Sequence, residues 1–148
     1  MIARRFHLAL IAASALAAAG CSMTGPSDSK PMSMGGEMTV PLSPKNEVPP
    51  AASTAVGAAR VWLDGMTVKW TVTYSGTTGP VTAGHFHGPA AAGANAGVVL
   101  PFTGSMASPI EGSKTLTQAQ VDQLKAGLWY VNLHTAANPG GELRGQVK

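Results

Sequence analysis

Residues 39–148 contain short runs in which apolar and polar side chains alternate, and this period of two is typical of β-strands with one buried face. The alternation is strongest over residues 67–74, where Val68, Trp70 and Val72 share one face. Four prolines within residues 39–50 allow that segment to pair only at a sheet edge. The segments predicted as strands are 38–42, 55–63, 67–74, 81–87, 98–102, 128–135 and 142–148.

Turn residues separate these segments and mark one helix. Asp64-Gly65 has the form of a two-residue hairpin turn between two strands. Thr117 and Gln120 have the spacing of a capping box, and Gly127 can end the helix that they begin, after about three turns. Two stretches without apolar periodicity are predicted as loops, 88–97 and 103–114. The pattern therefore predicts an all-β protein with one short helix.

Composition agrees with this fold class and limits the partners. Charged residues make up 11% of the chain, and its 18 glycines and 11 prolines suit a small β protein with many turns. A length of 148 residues suits one domain with appendages. The excess of 10 basic over 7 acidic residues includes Arg4 and Arg5 near the N-terminus, so the remainder is nearly neutral. Because the other basic residues are scattered, we expect no nucleic-acid partner.

Residues 1–20 are built like an export signal. Arg4 and Arg5 precede an apolar segment, and a run of small residues ends just before Cys21, the single cysteine. Residues 18–21 resemble the processing box of bacterial lipoproteins, which implies lipidation of Cys21 and attachment to a membrane. Ser22 resembles the sorting pattern for the periplasmic face of the outer membrane. An ordinary secretory signal followed by a chance cysteine is the alternative.

Residues 21–38 are rich in Gly, Ser and Pro without hydrophobic periodicity, so we predict a flexible tether between anchor and domain. Four of the seven methionines lie in this segment, at Met23, Met32, Met34 and Met38. Thioethers are soft ligands that select Cu(I), which makes Met32, Met34 and Met38 accessory candidates for copper. The alternative is that methionine is merely tolerated in a segment without a core.

Two histidines stand two positions apart on the strand predicted at residues 81–87. The strand period places four side chains on one face: Val81, Ala83, His85 and His87. Because His85 and His87 point the same way, both imidazoles can bind one metal ion that prefers nitrogen ligands. The alternative is that they hydrogen-bond to loop backbones. His7 lies in the predicted signal, which leaves His134, on the strand at 128–135, as the remaining histidine.

Three ordered motifs span the predicted domain. They are Asn-Glu-Val-Pro-Pro at 46–50, His-Phe-His-Gly-Pro-Ala at 85–90, and Tyr-Val-Asn-Leu-His-Thr at 130–135 followed by Pro-Gly-Gly-Glu-Leu-Arg-Gly-Gln at 139–146. Together they resemble the CHRD domain family over residues 39–148. This family is named after chordin, an extracellular antagonist of bone morphogenetic proteins, and has many bacterial members of unsettled function. The resemblance therefore implies the domain and leaves its activity open.

The CHRD family is in turn similar to the copper/zinc superoxide dismutases, which implies a Greek-key, immunoglobulin-like β-sandwich. By this comparison His85, His87 and His134 are copper ligands and Arg144 lies near the site. Apart from His7 in the predicted signal, the chain has no fourth histidine for a full copper set, and it has no His- and Asp-rich loop for zinc and no second cysteine. The comparison therefore favours copper over zinc of the dismutase type, and fast dismutation is not expected.

A metal held by three histidines keeps one coordination position open for water, a substrate or a tether methionine. Residues of the strands predicted at 128–135 and 142–148 are candidates to orient the imidazole rings by contacts behind the ligand atoms. They are Tyr130, Asn132, Thr135, Glu142 and Arg144. Zinc or nickel would suit the same nitrogens.

These features favour an envelope-anchored lipoprotein that binds copper for tolerance, storage or transfer. We expect a binding protein rather than an enzyme. Two alternatives stay open: weak copper-dependent superoxide dismutation, and a non-catalytic module that binds a protein partner in the cell envelope.

Overall fold

The computed structural model describes residues 36–148. The predictions for the signal, Cys21, Met32 and Met34 lie outside the described residues. The strands are β1 (Glu37–Leu42), β2 (Val56–Asp64), β3 (Thr67–Ser75), β4 (Val81–His87), β5 (Val98–Pro101), β6 (Ile110–Thr115), β7 (Trp129–Thr135) and β8 (Leu143–Val147). The helices are a single 3₁₀ turn (Pro44–Asn46) and α1 (Gln118–Lys125).

The strands form two four-stranded antiparallel sheets, with the orders β1-β2-β3-β6 and β5-β4-β7-β8. The chain changes sheet between β3 and β4, between β5 and β6, and between β6 and β7, as in Greek-key sandwiches. Apolar side chains from both sheets form one buried cluster. The predicted all-β sandwich with one short helix is therefore confirmed.

Aromatic rings join the two sheets at the centre of the core. Trp70 of β3 stacks on Phe102 with ring centroids 5.1 Å apart, and it meets Phe86 of β4 edge to face at 5.5 Å. Phe86 also contacts Trp129 of β7 at 5.8 Å. Such pairs bury large apolar surfaces and favour these relative orientations. The core thus fixes how β3 of one sheet lies against β4 and β7 of the other.

The strand predictions agree with the structure to within one residue at each end. β1 lies at the edge of its sheet, as its prolines require. A two-residue hairpin turn joins β2 and β3 as predicted, but one residue later: Asp64 pairs with Thr67, and the turn residues are Gly65 and Met66. Gly65 has a φ of 57°, which favours glycine. The capping box at Thr117 is confirmed by both of its hydrogen bonds, although α1 has eight residues and is shorter than expected. Within the part described here, no helix is both long and apolar enough to cross a membrane.

β6 (Ile110–Thr115) falls, except for its last residue, in the stretch 103–114 that the sequence pattern assigned to a loop. Ile110 is its one large apolar residue, so no alternation marks it as a strand. Pairing with β3 supplies the order instead, with Trp70 opposite Gly112. The indole of Trp70 occupies the space over this glycine, where an added Cβ would lie 2.2 Å from the ring. β6 is therefore a strand because of its partner and not because of its own periodicity.

Two side chains lie elsewhere than predicted. The register of β4 against β7 shifts between Val81 and Ala83, and such a bulge turns Val81 into the core, away from the face of the histidines. Met38 belongs to β1 and is 8% exposed within the core, so the predicted tether overlaps the domain by two residues. The prediction that Met38 is an accessory copper ligand is therefore wrong, because its thioether is enclosed between the sheets.

A buried carboxylate ties together the loops at one end of the sandwich. Glu142 is fully buried and accepts hydrogen bonds from the Ser53 hydroxyl at 2.6 Å, the Thr135 hydroxyl at 2.6 Å, and the Thr78 hydroxyl and amide at 2.7 and 2.8 Å. Burial alone would raise the pKa of Glu142, but these donors outweigh it and lower the pKa to about 2. Glu142 is therefore ionised and holds three separate segments at one point.

We expect Glu142→Gln to lower the free energy of unfolding by about 2 to 4 kcal/mol at pH 7, because several charge-assisted hydrogen bonds in a buried site are lost. A carboxylate whose pKa is lowered by folding stabilises the fold above its unfolded pKa, and this contribution is lost as the pH falls from about 4.5 towards 2. Denaturant unfolding from pH 7 to pH 2 measures the difference. The exposed Glu111→Gln is the control, and an equal loss at both ends of the range would contradict the role of the charge.

We expect Gly112→Ala to destabilise the fold by about 1 to 3 kcal/mol, because its Cβ would overlap the Trp70 ring. Gly79→Ala is the matched control, since no atom lies within 4 Å of the Cβ built there. Thermal unfolding of both variants tests the packing of β6 on β3, and equal stability of the two would show that the ring moves aside without cost.

Candidate metal centre

Two adjacent strands bring three histidines together on the outer face of the second sheet. His85 and His87 alternate along β4 with Phe86, which points into the core. His134 lies on β7, which pairs directly with β4. Its register places His85 opposite Asn132, so His134 is two positions further along the same face. All three rings are half-buried.

One ligand nitrogen from each ring lies within 4.8 Å of the other two. The ring centroids are 5.0 Å apart for His85 and His134, 5.4 Å for His85 and His87, and 6.1 Å for His87 and His134. Metal–nitrogen bonds of about 2.0 to 2.1 Å place two ligand nitrogens roughly 3.3 to 3.5 Å apart. A small inward movement of the rings would therefore complete three bonds to one ion.

Loop carbonyls fix which nitrogens face one another. His87 Nδ1 lies 3.0 Å from the carbonyl of Ala96, and His134 Nδ1 lies 3.0 Å from the carbonyl of Pro139. A carbonyl only accepts, so both Nδ1 atoms donate and both Nε2 atoms keep a lone pair when the rings are neutral. The predicted alternative, in which His85 and His87 bond loop backbones, thus holds for His87, whereas the bond found for His85 is to His134. The backbone bonds of His87 and His134 use the nitrogens that a metal would not need.

The nitrogens left over are suited to metal binding. His87 Nε2 is buried and has no hydrogen-bond partner within the described residues, which is uncommon for a buried polar atom. His134 Nε2 lies 3.1 Å from His85 Nδ1, a separation that two ligands of one ion can also adopt. The donor set is therefore three nitrogens on one face, with a chemistry that fits copper, zinc or nickel.

The surroundings keep the three rings neutral. Burial lowers the pKa of each imidazole, and the neighbouring histidines lower those of His85 and His134 further. Neutral imidazole is the form that binds metals. Within the part of the chain described, the group of potential ligands consists of these histidines and includes no carboxylate.

Tyr130 and Arg144 extend the site sideways across the sheet. The ring of Tyr130 stacks on His87 with centroids 4.9 Å apart and planes 5° from parallel. Its hydroxyl accepts from the Ala96 amide at 3.1 Å and donates to the Ala96 carbonyl at 3.3 Å. The Arg144 guanidinium carbon lies 3.6 Å from the centroid of Tyr130. His87, Tyr130 and Arg144 belong to β4, β7 and β8 in that order, so the phenol lies between the imidazole and the cation.

The other predicted orienting residues contact different groups. Asn132 donates to the carboxylate of Glu47 and to the carbonyl of Leu143, at 3.1 Å for the latter. Glu142 and Thr135 are hydrogen-bonded to one another in the network described above. Thr135 follows His134 in sequence, but no hydrogen bond found among the described residues joins either side chain to the His134 ring. Asn132, Thr135 and Glu142 therefore support the strands on which the rings stand.

Sequence reasoning missed two features of the site. The Ala96 carbonyl is a backbone group in a loop of Ala, Gly and Asn, and no side chain marks it. Glu47, within the first family-like motif, is buried against Asn132, and burial raises its pKa to about 7 against the opposing effects of Asn132 and Arg144. The motif at residues 46–50 was the one signal for Glu47, because the surrounding segment is proline-rich and has no periodicity that would mark a buried residue.

Comparison with protein families finds a match to the CHRD domain over residues 38–147. No curated protein and no solved structure matches the chain, so the similarity to superoxide dismutases stays an expectation. The match covers all eight strands from the second residue of β1 onwards, including the three histidines. The chain therefore belongs to the CHRD domain family.

Proposed function

We propose that this protein is an envelope-anchored CHRD-domain lipoprotein that binds copper through His85, His87 and His134, for tolerance, storage or transfer. The convergence of three neutral imidazole nitrogens within 4.8 Å supports the metal site most directly. The unpartnered, buried Nε2 of His87 supports it further, because a bound ion would satisfy that atom.

Copper is favoured by the ligands and by the predicted tether. Among divalent first-row ions, a site of nitrogen ligands binds copper most tightly. Met32 and Met34 lie outside the described residues and stay accessory candidates, since thioethers select Cu(I). A bound copper would have one coordination position open, where a molecule that delivers or receives the copper could supply a ligand.

Binding is a better-supported role than dismutation. Arg144 is 2% exposed, and its guanidinium faces Tyr130 and donates to Asn95 and to the Ala94 carbonyl. A side chain engaged in this way has its terminal N–H groups occupied and is enclosed, so it cannot bind an anionic substrate directly. We therefore rank weak superoxide dismutation below binding, and the protein-interaction role stays an alternative.

The location rests on the N-terminal sequence. The small-residue run before Cys21 supports lipidation, and Ser22 supports the outer membrane as the destination. Residues 21–36 then link that anchor to β1, which begins at Glu37. A tethered domain of this kind would hold its ion in the periplasm.

The copper site is tested by metal uptake of the purified protein. We expect close to one copper per chain, and a loss of affinity of at least about a hundredfold when the three histidines are changed to alanine, because the ligands themselves are removed. Gln118→Ala, on the exposed side of α1, is the control. Uptake that survives the triple substitution, in chains that still unfold cooperatively, would rule out this site.

The anchor is tested by fractionation of a bacterium that has an outer membrane. We expect Cys21→Ser to move the protein from the membrane to the soluble periplasmic fraction and to abolish the mass added by acyl chains, because serine offers no thiol for lipidation. Ser27→Ala, outside the processing box and the sorting position, is the matched control. If the Cys21→Ser protein stays with the membranes as before, the anchor lies elsewhere.

A further inference from the structure

We infer that the three-histidine site selects a monovalent ion, Cu(I), over divalent Zn(II) or Cu(II), because a buried arginine cation lies one aromatic ring away from it and no carboxylate is among its ligands. This inference rests on the proposed copper site and adds the charge of the ion that the site holds.

The cation is Arg144, and it acts on the site through one aromatic ring. Tyr130 presents one face to the guanidinium at 3.6 Å and stacks on His87 at 4.9 Å. Both rings and the guanidinium stand on the same face of neighbouring strands, so the three groups form a row. Arg144 is 2% exposed, and water screens a buried charge much less than a surface charge.

Among the described residues, no anion is hydrogen-bonded to the Arg144 guanidinium. Its two terminal nitrogens donate to neutral oxygens, to Asn95 Oδ1 at 2.7 Å and to the Ala94 carbonyl at 2.5 Å. The ion pair found among the described residues joins Arg60 and Glu37 on the other sheet. Glu47 is an acid in this region, and both its hydrogen bond with Asn132 and the charge of Arg144 lower its pKa; burial outweighs them and raises the pKa to about 7, so Glu47 is only a partial counter-charge at neutral pH.

The ligand set adds no negative charge either. The outer nitrogens of His87 and His134 donate to backbone carbonyls, whereas many metal-binding histidines donate to carboxylates. A divalent ion is repelled by the arginine twice as strongly as a monovalent ion at the same place. Cu(II) carries the same double charge as Zn(II), so the same repulsion acts against it.

Competition with chelators for Cu(I) and for Zn(II) tests this on the full chain. Asn95→Asp would place a carboxylate on the Arg144 nitrogen that Asn95 now accepts from, keeping the hydrogen bond while neutralising the charge. We expect the ratio of Cu(I) to Zn(II) affinity to fall roughly tenfold, as for the loss of one nearby charge in a partly screened site. Asn95→Ala is the matched control, because it removes the acceptor without adding charge, and its ratio should stay near that of the wild type.

Two further variants separate charge from support. Arg144→Gln removes the cation and should lower the affinity ratio, while Arg144→Lys keeps the charge and should preserve the ratio even if both affinities fall. If Arg144→Gln does not fold, the pair at Asn95 decides, since that side chain is exposed.

The outcomes distinguish this inference from the copper site itself. Equal ratios for Asn95→Asp and Asn95→Ala, or a wild-type chain that holds Zn(II) as tightly as Cu(I), overturn the selection of charge and leave copper binding standing. A wild-type chain that binds neither ion overturns both.

Discussion

The pairing of β4 with β7 is the contact on which both the core and the histidine cluster depend. On the inner face it brings Phe86 opposite Val131, and on the outer face it brings His87 opposite Tyr130. A slip of one residue would exchange the two faces, exposing Phe86 and burying the histidines. The apolar inner face excludes such a slip, so the hydrophobic core also sets the distances between the imidazoles. Packing of the core therefore fixes the β4–β7 register, and this register positions the three histidines.

The outer face of the second sheet is unusual because it is covered and not left to water. Tyr130, Asn132 and Arg144 are all buried there, although an antiparallel sheet commonly turns polar side chains to solvent. The 88–97 loop covers this face on one side, and the 3₁₀ turn after β1 covers it on the other, where Asn46 donates to the Arg144 carbonyl. Because buried polar groups are costly when unpaired, this layer is stable only as a connected set. The strands therefore place the rings, and the covering segments orient them.

The sequence was informative where a burial pattern had to be met. Alternation placed the strands to within a residue and put His85 and His87 on one face, because one face of each strand must be apolar. It failed for β6, whose order comes from β3, and for Val81, which a bulge turns inward. His134 came from family resemblance, since two strands distant in sequence meet only in the fold.

The finer parts of the site were beyond sequence reasoning for a different reason. The Ala96 carbonyl that orients His87 belongs to the backbone, which every residue shares. The contact of Arg144 with Tyr130 depends on how β7 and β8 pair, and the buried position of Glu47 depends on how the segment after β1 folds over the sheet.

The backbone contacts of the 88–97 loop also determine how the sequence of this protein can vary. The loop contacts His87 and Arg144 largely through backbone carbonyls, and its residues from Ala91 to Asn95 are exposed. Most of those side chains can therefore be substituted without disturbing the rings. Relatives could then keep the same cluster beneath a loop of dissimilar sequence, and the exposed positions would be free to adapt the rim to a different partner.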